Sequence, residues 1–265
     1  LKENEFMIFG SGAAQEMHRR WFESHISKFD VKYANRSDDF HGIAIAGPKS
    51  RKLFQKLVRD DVSNENFKFR DIKQMFVAGV PAIVNRISFT GELGYEIYVA
   101  PQFQLKLYEE IENAGEEFNL KPFGGRALMS MRLEKSWGAW TLDYRPDFTA
   151  KESGLDVFID WKKDFIGKKN AEKDTSNLKL TPMIVETKDI DVTNNEAVMK
   201  DGKSIGYITS GGFAHYLKKS VAYSYLDKKI LKTNEKLKKE INGDFYDCSI
   251  IKEPLYDPRG TKMRS

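Results

Sequence analysis

The chain has 265 residues, 40% hydrophobic and 31% charged, and its 43 basic and 39 acidic side chains leave a net charge of +4. That length supports a sizeable core in two domains or subdomains, and the mixed charge lacks the basic stripe with aromatic platforms that nucleic-acid binding wants. No apolar run reaches membrane-spanning length, and a single cysteine, Cys248, excludes an internal disulfide or a cysteine-rich metal site.

Residues 6–9 predict a short strand. Gly10-Ser11-Gly12 then lead into a helix with Ser11 or Gly12 near its cap and Met17, Trp21 and Phe29 among its apolar positions. His18 and His25 lie on this helix two turns apart with no carboxylate–histidine motif beside them, so they read as surface or packing residues and no metal is assigned. Residues 41–46 predict a buried strand. Gly47-Pro48 turns it into a helix with Leu53, Phe54, Leu57 and Val58 on its apolar face. The segment Gly47-Pro48-Lys49-Ser50 lacks the glycine spacing of a phosphate loop and reads as a helix start.

Residues 87–98 carry the most information. Two β-prone stretches flank a turn-forming Thr90-Gly91-Glu92-Leu93-Gly94, and the return strand sets Glu96 between Tyr95 and Ile97. Side chains alternate along a strand, so Glu96 points opposite to both neighbours. A carboxylate turned to water on a half-exposed strand is the plain reading. Turned inward, it needs a donor partner, and a ligand with two adjacent N–H groups meets that need in a two-pronged pair. Glu92, at the turn, reads as a solvated loop residue.

Helices follow at about 102–118 and 125–136. The second carries Leu128, Met131 and Leu133 beside Arg126 and Arg132, whose spacing lets at most one of the two face a given pocket. After a polar stretch at 168–177, β-prone segments occupy 180–186, 197–200, 204–210, 239–241 and 245–251. Asp201-Gly202 and Asn242-Gly243 are tight-hairpin signals. The Lys-rich stretch 228–239 reads as solvated surface. From about residue 178 onward we expect a small antiparallel barrel or sandwich, with Cys248 a buried thiol.

Phe-Thr-Gly-Glu-Leu-Gly-Tyr-Glu, residues 89–96, resembles the folate-site hairpin of the aminomethyltransferase family. That family includes the glycine cleavage system T protein and the C-terminal halves of dimethylglycine and sarcosine dehydrogenases. More of its pattern follows in order: Gly124-Gly125-Arg126-Ala127-Leu128, Met131-Arg132-Leu133-Glu134-Lys135, and Trp137-Gly138-Ala139-Trp140. Ala150-Lys151-Glu152-Ser153-Gly154-Leu155 and Asp164-Phe165-Ile166-Gly167-Lys168 come next. Last is Thr209-Ser210-Gly211-Gly212-Phe213-Ala214-His215, running into Lys219-Ser220-Val221-Ala222. Each block is weak alone; in order across most of the chain they are specific. The Arg-Leu-Glu-Lys and Ala-Trp wording resembles the dehydrogenase branch more than the glycine cleavage protein.

The resemblance implies an α+β fold. A folate-binding aminomethyltransferase-like α/β lobe over residues 1–167, incomplete at its N-terminus, is expected before a C-terminal β-barrel domain over 178–265. It implies a tetrahydrofolate site between the lobes, where Glu96 accepts the ring N–H and exocyclic amine of the pterin. Phe89 stands where the family commonly has tyrosine, keeping the aromatic contact and losing a hydroxyl. Arg126 matches an arginine of the folate site in the glycine cleavage branch, with a surface ion pair as the alternative. Trp140 and Tyr144 are expected to wall the ring system, with core packing as the alternative. His215 is expected either to line the cleft from a flexible loop at 210–215 or to be structural.

The implied reaction moves a one-carbon unit from an amine-derived aminomethyl or iminium species to tetrahydrofolate, so a small amine is an expected partner. In the family the chemistry relies on an aspartate from the N-terminal segment, which the resemblance places upstream of Leu1; the catalytic acid is therefore unassigned, and little or no carbon transfer is expected from this chain alone. Asp143, beside Trp140, is the next acid at hand. FAD is expected only in an upstream domain, since no dinucleotide glycine fingerprint is present. The alternative is a non-catalytic folate-binding module or a structural subunit of a larger flavin-dependent amine oxidase or dehydrogenase. We expect no nucleic-acid or membrane partner, and a cytoplasmic location, or the mitochondrial matrix in a eukaryote.

Overall fold

The computed structural model describes residues 3–232 and 236–265. A 3-10 turn at Gly12–Ala14 opens helix α1 (Gln15–Ile26), which buries none of its residues. Strand β1 (His41–Ala46) and helix α2 (Ser50–Leu57) follow, then strands β2 (Ile72–Val77), β3 (Val80–Asn85) and β4 (Gly94–Val99) and helix α3 (Gln104–Gly115). The four strands form one antiparallel sheet in the order β1-β4-β3-β2. Leu53, Phe54 and Leu57 of α2 and Leu107 and Ile111 of α3 pack on one face of it, against Val84, Tyr95, Ile97 and Val99. The Tyr95 ring stacks on Phe54 at 4.4 Å. Period-two alternation sends these apolar side chains to the helices and leaves Glu96 and Tyr98, half-buried, on the opposite face. That face is open: Ile72 and Phe76 on it are 53% and 65% exposed.

Helix α4 (Gly125–Glu134) links the sheet lobe to the second unit, with the short α5 (Lys168–Glu172) ahead of it. There, β5 (Leu178–Val185), β6 (Ala197–Lys200), β7 (Lys203–Ala214), β8 (Lys219–Asp227), β9 (Leu237–Ile241) and β10 (Asp244–Ile250) close an antiparallel barrel in the order β10-β5-β8-β7-β6-β9. Met183, Val185, Val198, Ile208, Leu226 and Leu237 fill it, with Cys248 at the edge of that core. Asp201-Gly202 and Asn242-Gly243 make the expected two-residue turns. Both central residues of each have positive φ, as a type I′ turn requires. Leu133 of α4 packs with Leu180, Val221, Tyr223 and Tyr225 on the barrel's outer wall. Helix α6 (Thr261–Arg264) ends the chain and returns to the sheet lobe, where Arg86 donates to the Ser265 carbonyl at 2.8 Å.

Several local expectations need correction. Residues 6–9 take no regular structure, because a β-prone run is a strand only where a partner strand pairs with it. Strand β1 forms where expected, yet only Ile45 is buried, since Gly42 and Ala44 lie on the open face. The first β-prone stretch of the Glu96 hairpin, residues 87–89, belongs to the connection, and the true partner strand is β3. Residues 210–214 are not a flexible loop but part of β7, paired with β8. The glycines there serve close packing: a Cβ at Gly211 would sit 2.4 Å from Val192 Cγ1. Strands β2, β3 and β8 were not foreseen; β8 reads as a near-continuous buried run with little alternation.

Candidate functional site

The open face of the sheet is the place to begin. Asn85 on β3 and Ala44 on β1 are the register partners of Glu96 on either side. Tyr98, two residues along the same strand, donates its hydroxyl proton to Glu96 Oε2 at 2.7 Å. Burial, then the bond to the carboxylate, raises the Tyr98 pKa above its ordinary value, so this phenol stays a donor. Among the described residues nothing is bonded to Glu96 Oε1. Asn85 is 7% exposed, and its buried Oδ1 has no hydrogen-bond partner among the described residues. A carboxylate with one oxygen steadied and, among the described residues, the other unbonded is an acceptor for a ligand rich in N–H groups.

The connection from β3 to β4 is held rigidly. Ser88 Oγ and Thr90 Oγ1 are 2.8 Å apart, and Thr90 accepts from the Glu92 N–H at 3.2 Å. Gly94 is required: a Cβ there would lie 2.7 Å from Ser88 Cβ and 2.9 Å from the Ile45 carbonyl oxygen. Phe89 leaves this connection half-buried and stacks on Trp137 at 6.0 Å. Glu92 is not merely solvated. It accepts from Tyr256 and lies 3.7 Å from Lys262, so the C-terminal segment clasps the turn.

Trp137 and Trp140 are placed by the end of α4. Ser136 takes φ 59°, and the Trp137 and Ser136 amides return to the Arg132 and Leu133 carbonyls at 3.0 Å each, closing the helix with a Schellman turn. The loop that follows is anchored by Asp143, fully buried and paired with Arg132 at 2.8 Å. Asp143 also accepts from the Ala139 amide, Thr209 and Ser210, so it ties α4 to β7. Every oxygen of this acid is used; it is a structural hub and not a reactive group. The Tyr144 hydroxyl accepts the Gly138 amide at 3.2 Å, and its ring meets Trp140 at 5.9 Å. Burial raises the Tyr144 pKa.

Trp140, 45% exposed, also receives the edge of His18 at 5.3 Å. Gly10 lies under His18, and Phe9 meets the Tyr98 ring at 4.7 Å. A run of contacts thus joins the Glu96 face, through residues 9, 10 and 18, to Trp140 and Tyr144. Arg126 is exposed at the start of α4 and, among the described residues, makes no ion pair. His215 is exposed in the turn after β7, edge-on to Phe213 at 5.1 Å, with its amide 3.4 Å from Ser130 Oγ of α4. Among the described residues no hydrogen bond or ring contact joins it to Glu96. Sequence reasoning passed over Asn85 and Tyr98. The period-two relation of Tyr98 to Glu96 was a usable signal for the second, whereas Asn85 needed the strand pairing.

Comparison with known proteins agrees with this architecture. The family profile described as the GCVT N-terminal domain matches residues 1–163, and that of the glycine cleavage T-protein C-terminal barrel domain matches residues 179–257. The chain is 35% identical over 268 residues to mitochondrial dimethylglycine dehydrogenase of Homo sapiens, across 98% of this chain and 31% of that protein. It is 30% identical over 259 residues to an aminomethyltransferase of Desulfitobacterium hafniense, across 96% of this chain and 70% of that one. The solved glycine cleavage system aminomethyltransferase T from Bartonella henselae shares the fold, with a TM-score of 0.81 at 18% identity over 94% of this chain and 68% of that one. The chain thus spans about a third of the length of the dimethylglycine dehydrogenases that it matches. It belongs to the glycine cleavage T-protein family.

Proposed function

We propose that this chain binds tetrahydrofolate and serves one-carbon transfer from an amine-derived donor in glycine, dimethylglycine or sarcosine metabolism. The observation that carries the proposal is the Glu96 carboxylate on an open sheet face, held at Oε2 by Tyr98 and unbonded at Oε1 among the described residues. The ring N–H and exocyclic amine of a pterin lie side by side, and a carboxylate accepts both in one plane. Phe89, Trp140 and Tyr144 offer aromatic surface for the ring system, and Arg126 offers a guanidinium with no ion pair among the described residues for the pterin carbonyl or a folate carboxylate. His215, from the barrel side, is a weaker candidate for the same site.

Bound tetrahydrofolate supplies the nitrogen that takes up the one-carbon unit. The protein's part is orientation: Glu96 fixes the ring edge, the Gly94 connection holds Glu96 in place, and the aromatic residues exclude water from the reacting side. Where a flavin-dependent dehydrogenase domain or subunit accompanies this unit, we propose that it delivers the oxidised amine carbon. Among the described residues no helix is long and apolar enough to cross a membrane; the cytoplasm or the mitochondrial matrix is the location we propose.

Calorimetric titration with tetrahydrofolate tests the reading. We expect saturable binding that weakens by about 1.5–3 kcal/mol, roughly 10- to 150-fold in Kd, in Glu96→Gln, which replaces one acceptor oxygen by an amide. Equal affinity in the two proteins would remove Glu96 from the site.

A further inference from the structure

We propose that Gly42 and Tyr98 are positioning residues of this site: the glycine gives the Tyr98 ring room to lie across β1, and from there its hydroxyl holds the Glu96 carboxylate in the rotamer that receives the pterin. The proposal rests on the folate reading above and extends it to two residues outside the expected ligand contacts.

Gly42 of β1 and Tyr98 of β4 are directly opposed in the antiparallel register, and Ala44 stands opposite Glu96. Opposed residues share a face, as do residues two apart on a strand, so all four positions lie on the open side of the sheet. The Tyr98 ring occupies the space that a side chain on Gly42 would fill. A Cβ there would lie 3.1 Å from Tyr98 Cε1 and 3.3 Å from Cδ1, closer than an ordinary contact. Gly42 is not kept for its backbone: its φ is not positive, and a glycine inside a strand otherwise weakens the pairing. What it permits is the close approach of the ring, which in turn covers the backbone that the missing side chain leaves bare. Phe9 meets the same ring at 4.7 Å.

A glutamate side chain has three torsions, the last of them broad and two-fold, so an unrestrained carboxylate presents its oxygens in many directions. The 2.7 Å bond from the Tyr98 hydroxyl to Glu96 Oε2 removes that freedom before a ligand arrives. It occupies one lone pair of Oε2 and leaves the other, with those of Oε1, for incoming N–H groups. Fixing one such side chain during binding otherwise costs roughly 2- to 12-fold in affinity. Tyr98 needs a restraint of its own, and the contacts with Gly42 and Phe9 supply it.

The test is a set of calorimetric titrations with tetrahydrofolate, each protein also followed by thermal unfolding. Tyr98→Phe keeps the ring and loses the hydroxyl, and we expect it to bind about 3- to 10-fold more weakly. Gly42→Val suits a strand and should leave the protein folded, yet it should bring a similar loss by pushing the ring aside. Should it fail to fold, Gly42→Ala carries the same comparison. Because each residue acts through the next, the losses should not add. Gly42→Val should cost little more once Tyr98 is Phe, and Tyr98→Phe little more once Glu96 is Gln. Unchanged affinity in Tyr98→Phe, or losses that simply add, would overturn the proposal. Both outcomes leave the folate reading intact so long as Glu96→Gln weakens binding. A wild-type protein that binds no tetrahydrofolate would instead end that reading, and this one with it.

Discussion

Asp143 shows how far a residue's neighbours decide its role. As a lone acid beside two tryptophans it invites a catalytic reading, but its carboxylate is spent on Arg132, the Ala139 amide, Thr209 and Ser210. Two of those partners lie more than sixty residues away in the chain, which is why no local pattern revealed the hub. Asp143→Ala would leave the Arg132 guanidinium buried with, among the described residues, only the Trp137 carbonyl as a bonded partner. We predict a loss of about 3–5 kcal/mol in denaturant unfolding, and a loss under about 1 kcal/mol would contradict the structural assignment. Cys248 carries a second prediction at this scale. Burial pushes its thiol pKa up to about 12, so the thiolate is scarce at neutral pH. A thiol-alkylating reagent at pH 8 should label it slowly in the folded protein and fast in denaturant; equal rates would show that the site is open. Strand alternation separated Glu96 from Tyr95 and Ile97, but it was the family resemblance that marked it as a candidate, and its steadying by Tyr98 became evident only with the fold.

At the scale of elements, the connection between β3 and β4 is the part whose geometry the site depends on most. Gly94 sits where any side chain would press on Ser88 and on the Ile45 carbonyl. Gly94→Ala should therefore destabilise the protein by about 1–3 kcal/mol and, by moving β4 against β1, weaken folate binding as well. Unfolding and titration of the same variant separate the two effects, and wild-type stability would show that the turn yields freely. The Asp-Gly and Asn-Gly turns were legible because type I′ geometry needs positive φ at two successive residues, which few residue types tolerate. The Ser-Gly-Gly-Phe segment misled for the opposite reason. Glycine suggests freedom, yet in β7 it admits Val192 against the backbone. Residues 6–9 misled because β propensity says nothing about whether a partner edge is present.

On the scale of the molecule, the two lobes are joined through α4 on one side and through the C-terminal segment on the other. Asp257 accepts from the Thr261 amide and hydroxyl and lies 3.4 Å from Lys135, while the chain around it clasps Glu92 and Arg86. Burial resists ionisation of Asp257, but the Thr261 bonds and the Lys135 charge outweigh it and hold the carboxyl below its usual range. A depressed carboxyl stabilises the fold above the unfolded value, near about 3.9, and that contribution is lost as pH falls through the lower folded value. Asp257→Asn should thus lower stability at pH 7 and flatten its decline below about pH 4, as followed by denaturant unfolding at a series of pH values. An unchanged profile would mean that the clasp is not electrostatic. Most of the barrel was legible from β-prone segments and turn signals, whereas half of the sheet was not. Nor was the clasp, because it depends on long-range contacts of the C-terminal segment with Arg86, Glu92 and Lys135. The claim at the centre of the account is that the Glu96 face receives the pterin. A crystal structure of the protein with 5-formyl-tetrahydrofolate tests it most directly. The account predicts the ring N–H and exocyclic amine at about 2.7–2.9 Å from the Glu96 oxygens. A pterin seated elsewhere, with Glu96 turned to water, would contradict it.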